Sequence, residues 1–289
     1  MYISAVLTPL LIVPLLLLGC AARQRPQPAL VHCDAQHSPL VTGELLLPED
    51  APSTIPAAPL EVVTGHEIAR SLQNRPIVFR QYRGVALADA PSVEILLFAG
   101  IHGNEPTTVF AAARLIELLD TDVASIIPPG HRLTVVPVAN PDGYAARRRQ
   151  NSAGIDLNRN FPAANFSSAA RNKKNSPGPS PLSEPESRAI HDLVLSLKPT
   201  RILTLHSIRP PRHGNNYDGP AQQLAELLAT KNGYAVLPTI GYPTPGSFGS
   251  WAGIDLKIPT ITLEFPSNAT GPAAWVANRE AILAFIRGS

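Results

Sequence analysis

Four short runs of the chain, residues 93–98, 133–138, 202–205 and 260–265, are built mostly from Val, Ile, Leu, Phe and Thr. Runs of four to six such residues are too short for buried helices and read as strands covered on both faces. Segments with helical spacing lie between them. Residues 106–119 carry Val109, Phe110, Ala113 and Ile116 on one stripe. A second helix is announced by Ser183 and Glu186 at capping-box spacing, followed by Ala189, Ile190, Leu193, Val194 and Leu197. Residues 221–231 and 273–286 are also helical in pattern, and residues 76–82 alternate as a further strand. Strands that alternate with helices imply a layered α/β architecture around a largely parallel sheet.

A chain of 289 residues is long enough for one large domain of this kind, which begins near Leu60. Its 31 prolines are about twice the usual share and predict many loops, notably over residues 162–181. No fixed-period repeat is present, which excludes solenoids and propellers. A formal charge of +2 gives no ground for a nucleic-acid partner.

The first residues stand apart from that fold. Residues 5–18 are apolar except at Thr8, Pro9 and Pro14, and they end at Leu17-Leu18-Gly19-Cys20. The stretch falls below the ~20 apolar residues of a spanning helix and reads as a secretory signal over residues 1–19. Its ending resembles a bacterial lipobox, whose cysteine is lipidated and becomes the new N-terminus. Met1-Tyr2-Ile3-Ser4 lacks the basic residue usual upstream, and Ala21-Ala22 implies an outer-membrane address. Residues 20–58, rich in Pro, Ala, Gln and Ser, suit a flexible tether between that anchor and a folded domain at residues 59–289. With Cys20 lipidated, Cys33 has no internal partner; without lipid, the two cysteines can pair.

Polar residues gather just past the C-terminal ends of the expected strands, where open α/β sheets hold their ligands. After residues 93–98 comes Gly100-Ile101-His102-Gly103-Asn104-Glu105-Pro106. A histidine and a carboxylate two residues apart can both turn toward one zinc ion. The plainer alternative is a solvated loop histidine beside a helix-capping glutamate. Asn140-Pro141-Asp142-Gly143-Tyr144 has turn chemistry. Arg147-Arg148-Arg149 precedes Asp156-Leu157-Asn158-Arg159-Asn160-Phe161, where Arg159 between two asparagines offers a fork of donors to a carboxylate. His206 closes residues 202–205, and Glu264 is flanked by Ile261, Leu263, Phe265 and Pro266, where a carboxylate needs a partner.

These motifs, in this order, resemble the zinc metallocarboxypeptidases over the span from Pro76 to the C-terminus, and most closely their murein peptide amidase branch. The branch resemblance rests on residues 241–249 and on Glu264-Phe265-Pro266. It implies a three-layer α/β/α sandwich with a mixed, largely parallel sheet, and one Zn²⁺ per chain held by His102, Glu105 and His206. Glu264 is the implied general base, and Arg149 the implied partner of the developing oxyanion. Arg147 and Arg148 compete for that last role, but spacing to Asp156 favours Arg149. Asn158 and Arg159 are implied to grip the substrate's terminal carboxylate, with Tyr242 as the capping tyrosine; a turn tyrosine packed near Pro243 and Pro245 is the alternative. Gly249 aligns with the floor of the specificity pocket and by itself excludes nothing.

The implied substrate is a murein peptide, cut at the γ-D-glutamyl–meso-diaminopimelate bond. Arg209, Arg212 and Asp218 are candidates for reading the far end of diaminopimelate. Two other readings compete: a zinc deacylase of N-acyl amino acids, which shares the first His-x-x-Glu, and a non-catalytic wall-binding lipoprotein, which would have lost a ligand or Glu264. Cell fractionation checks the expected address. Processed protein should sediment with membranes, and unprocessed protein in the cytosol would overturn the export reading.

Overall fold

Adjacent parallel strands end on the same edge of a sheet, so the loops that follow them converge without further design. The computed structural model describes residues 65–85, 93–170 and 172–289. The expected signal peptide, the tether, Cys20 and Cys33 lie outside them. In chain order the strands are β1 (His66–Arg70), β2 (Pro76–Arg83), β3 (Val93–Phe98), β4 (His131–Val136), β5 (Arg201–Ile208), β6 (Gly214–Asp218), β7 (Val236–Leu237) and β8 (Thr260–Pro266). The helices are α1 (Pro106–Ile126), α2 (Pro141–Ala145), α3 (Pro185–Leu197), α4 (Gln222–Asn232) and α5 (Gly271–Arg287). A π-helical segment spans Gly249–Asp255.

The described strands form one sheet in the order β1-β2-β4-β3-β5-β8-β6-β7. The pairs β4–β3, β3–β5, β5–β8 and β6–β7 are parallel, whereas β1–β2, β2–β4 and β6–β8 are antiparallel. The sheet is therefore mixed, with a parallel centre, as expected. Side chains alternate between its faces. Ile95, Leu97, Leu203, Leu205, Ile261, Leu263 and Phe265 pack with α1, α4 and α5 on one side. Leu96, Phe98, Ile202 and Val136 pack on the other with α3, Phe161, Phe248 and Trp251. Thr262 and Glu264 fall on that second side by alternation, and so does His206.

Several expectations shift in instructive ways. β4 ends two residues before the expected 138, because Pro137 has no N–H to continue the ladder. α1 runs past the expected 119 to Ile126, but its backbone leaves helical geometry at Asp122. The capping box expected at Ser183 and Glu186 is absent. α3 starts at Pro185 with Glu184 at its N-cap and no side-chain cap bond. Ser183 Oγ instead donates to Glu184 Oε1 and accepts from Asn160, while Glu186 is buried against Asn151.

Phe98 is fully buried at the last position of β3 and meets Phe248 edge-on at 4.8 Å. Phe98→Ala should lower unfolding free energy by about 3–5 kcal/mol, measured by urea denaturation.

Candidate active site

The loop after β3 carries His102, and Glu105 ends that loop as the N-cap of α1 without using its side chain as a cap. Its carboxylate is thus free to face inward, near a helix N-terminus that favours negative charge. The loop is held closely. Asn140 Nδ2 donates to Ile101 O at 3.1 Å, and Asn140 Oδ1 caps α2 through Gly143 N at 2.8 Å. Gly103 lies against Gly143, where a Cβ would come within 1.9 Å of backbone, so no side chain fits at that position. Asp142 ties the same motif to the β1–β2 turn, accepting from Ser71 Oγ at 2.6 Å and from Gln73 N at 3.0 Å. The Asn-Pro-Asp-Gly motif is therefore the clamp that sets the loop.

His206 reaches the same point from β5. His102 Nδ1 lies 2.9 Å from Glu105 Oε1, and His206 Nδ1 lies 3.5 Å from Glu105 Oε2. One ligand atom from each of the three residues falls within 4.8 Å of the others, and all three residues are buried. Two imidazole nitrogens and a carboxylate oxygen are the donor set of a catalytic zinc site that keeps a position open for water, so the site fits one zinc ion. His102 Nε2 faces Asp156 Oδ1 at 3.0 Å, which leaves Nδ1 for a metal. Asp156 appeared in the sequence only as part of a motif, and its role as the orienting carboxylate emerges from the fold.

Arg149 enters from the other side. Its Nη2 lies 3.0 Å from Asp156 Oδ2, and its Nη1 is 3.7 Å from Glu105 Oε1. Arg147 and Arg148 are exposed, whereas Arg149 lines the cavity. Burial opposes charge on Arg149, but Asp156 and Glu105 outweigh it and raise its pKa. Burial would likewise raise Glu105 and Asp156. His102 and His206 hold Glu105 well below the usual carboxylate range, and His102 with Arg149 does the same for Asp156.

Glu264 stands beside His206 in the β5–β8 register. It is buried, and its Oε2 has no hydrogen-bond partner among the described residues. Burial pushes its carboxyl up to about 7, with His206 pulling down and Glu105 pushing up.

A cavity of about 280 Å³ opens from this point and is lined by Arg149, Asn158, Arg159, Tyr242 and Glu264, together with residues of β6. Asn158 is fixed by Phe248 N, which donates to its Oδ1 at 2.9 Å. Arg159 is buried, with Nη1 donating to Asn158 O. Tyr242 lies at the cavity with the Arg212 guanidinium 5.9 Å from its ring centre. His102, Glu105, His206, Asp218 and Gly249 line it too, whereas Arg209 and Arg212, expected to read the substrate, do not, and Cys20 lies outside the described residues. Asn216 and Thr262 line it as well. Both are polar strand residues outside any motif, and only the pairing of β6 with β8 reveals them.

Residues 56–210 match the zinc carboxypeptidase family model, a span that holds His102, Glu105, Arg149 and His206 but not Glu264. Murein peptide amidase A of Escherichia coli K12 is 36% identical over 194 residues, covering 62% of this chain and 74% of that relative. The Vibrio campbellii murein peptide amidase A is 26% identical over 186 residues, covering 59% and 68%. The crystal structure of murein-tripeptide amidase from Escherichia coli O157 superposes with a TM-score of 0.62 at 31% identity, covering 77% of this chain and 91% of that one. Carboxypeptidase A from Helicoverpa armigera shares the fold, with a TM-score of 0.65 at 21% identity, covering 78% of this chain and 68% of that one.

Replacing Asp156 with Asn should weaken zinc binding about 10- to 100-fold, because His102 then loses the charged partner that orients it. Competition against a zinc-binding dye measures this.

Proposed function

The chain belongs to the zinc carboxypeptidase family, and on that premise we propose that it hydrolyses murein peptides at the γ-D-glutamyl–meso-diaminopimelate bond. The observation that carries this reading is the convergence of His102, Glu105 and His206 within 4.8 Å, beside the unpartnered Oε2 of Glu264. The likeness to murein peptide amidases supports the substrate class.

When bound, zinc supplies a Lewis acid that polarises the scissile carbonyl and acidifies water. The chain's own groups do the rest. Glu264 takes a proton from the attacking water at its open carboxylate oxygen and hands it to the departing amine. Arg149 is held in place by Asp156 and keeps a fixed positive charge where the carbonyl oxygen becomes negative. Arg159 and the Asn158 amide, whose oxygen is already taken by Phe248 N, present N–H donors to the carboxylate of the released residue. Tyr242 caps the bound substrate from the cavity wall and limits the entry of bulk water.

The reading extends to location. With residues 1–19 as a signal peptide and Cys20 as a lipid anchor, the enzyme faces the periplasm from the outer membrane on a tether of residues 20–58. There it meets wall peptides directly.

Hydrolysis of L-Ala-γ-D-Glu-meso-diaminopimelate by the zinc-loaded protein tests the proposal. Diaminopimelate release should cease with chelator and return with zinc. Glu264→Gln should retain zinc while kcat drops by about 10²–10⁴-fold. Stoichiometric zinc with no release from this peptide would refute the proposed bond.

A further inference from the structure

A net charge of +2 conceals how unevenly this chain is charged. From Gly143 to Ser183 it carries seven lysines and arginines and a single acid, Asp156, a net of +6, so the rest of the chain sums to −4. Asp156 is buried and already held by His102 and Arg149. Nothing acidic on that stretch is left to neutralise its surface.

Four of the seven cations, Arg147, Arg148, Lys173 and Lys174, are exposed, and their side chains make no hydrogen bond or ion pair with any described residue. Exposed arginines elsewhere are matched: Arg70 pairs with Glu67 and Arg114 with Glu117. The fold brings the two unmatched pairs together. Gln150 Nε2 donates to Lys173 O at 3.1 Å, and Asp156 N donates to Ser176 O at 2.8 Å. Asn175 Nδ2 donates to Asp156 Oδ2 at 3.0 Å, the oxygen that also meets Arg149 Nη2 at 3.0 Å. Each of the four cations therefore stands within two residues of a group, Arg149 or Asn175, that touches Asp156. Arg149 lines the cavity, so the four gather beside its wall. Like charges gathered without counter-charge repel one another, and an anion laid across them relieves the repulsion.

The neighbouring cavity indicates which anion fits. On the hydrolytic reading above, the peptide being cut is one of many stems hung from a common polymer. A γ-linked glutamate keeps its α-carboxylate free, and diaminopimelate brings further carboxylates. Each adjacent stem is thus a flexible anion tethered at short range to the one in the cavity. A second contact made through a tether profits from a high effective concentration. Single exposed ion pairs contribute little, but four acting on one tethered partner add up.

We propose that Arg147, Arg148, Lys173 and Lys174 form a docking surface for the carboxylates of a neighbouring stem peptide on the same murein strand. The enzyme then engages polymer-borne stems ahead of free peptides. The identity of the partner rests on the murein reading above.

The zinc-loaded full-length protein is compared on free L-Ala-γ-D-Glu-meso-diaminopimelate and on soluble murein strands that carry several such stems. At low salt, kcat/KM per stem should be about tenfold higher for the strands. The advantage should fade toward one as ionic strength approaches about 0.3 M. Combining Arg147→Gln, Arg148→Gln, Lys173→Gln and Lys174→Gln should remove the advantage at every salt concentration while the free peptide is cut as by the wild type. Arg147→Lys with Arg148→Lys should keep it, because the surface supplies charge rather than a fixed fork of donors. A wild type with no preference for strands, or a preference that survives the fourfold change, overturns the proposal. Sedimentation of zinc-loaded Glu264→Gln protein with insoluble murein measures binding apart from turnover. Salt-sensitive binding that the fourfold change abolishes, with no peptide cut by the wild type, keeps the docking surface and discards the bond proposed above. If the fourfold change removes binding to phosphatidylglycerol vesicles to the same degree, the patch is a general anion binder and its assignment to murein falls.

Discussion

One carboxylate facing two imidazoles organises this molecule. Glu105 sits buried between His102 and His206, and a charge in that position is tolerated only when its partners are held close. Much of the surrounding structure serves that requirement. The neighbouring parallel strands β3 and β5 end on one edge and deliver the two histidines to it. Asp156 fixes one imidazole from behind, and Arg149 balances the two acids. The Asn140–Gly143 clamp presses the loop into place through a contact only glycine allows. The parallel register of β5 with β8 then sets Glu264 beside His206 without any loop between them.

The chemistry and the pocket draw on different parts of the sheet. The metal-ligand cluster grows from the central parallel strands, which are apolar on both faces and held by helices on each side. The pocket floor grows from β6, an antiparallel strand near the sheet edge whose residues are mostly polar. Because β6 is hydrogen-bonded to β8, its side chains stay in fixed step with Glu264. The cavity wall and the Glu264 carboxylate are thus set along one ladder.

The central strands and long helices were legible in the sequence because their burial on both faces leaves an unbroken apolar run or a clear stripe. β3 carries that signal from end to end, and α3 and α5 follow it to within two residues. The ligands were legible because they fall directly after those runs, within motifs of strong local geometry. β6 was not. Gly-Asn-Asn-Tyr-Asp has no apolar pattern, since one of its faces looks into a polar cavity, and only pairing with β8 makes it a strand. The Ser183–Glu186 spacing misled for a related reason. Tertiary partners, Asn160 and Asn151, compete for those side chains and win over the local cap. Asp156 was visible as a residue but not as the group behind His102, because the two are 54 positions apart and meet only through the folded chain.

The placement of the pocket floor on β6 has an evolutionary consequence. β6 meets the parallel centre through its antiparallel pairing with β8 alone and is flanked on its outer side by the two-residue β7. Exchanges at the cavity-facing positions of β6 would reshape the pocket wall while the cluster of His102, Glu105 and His206, carried by other elements, kept its place.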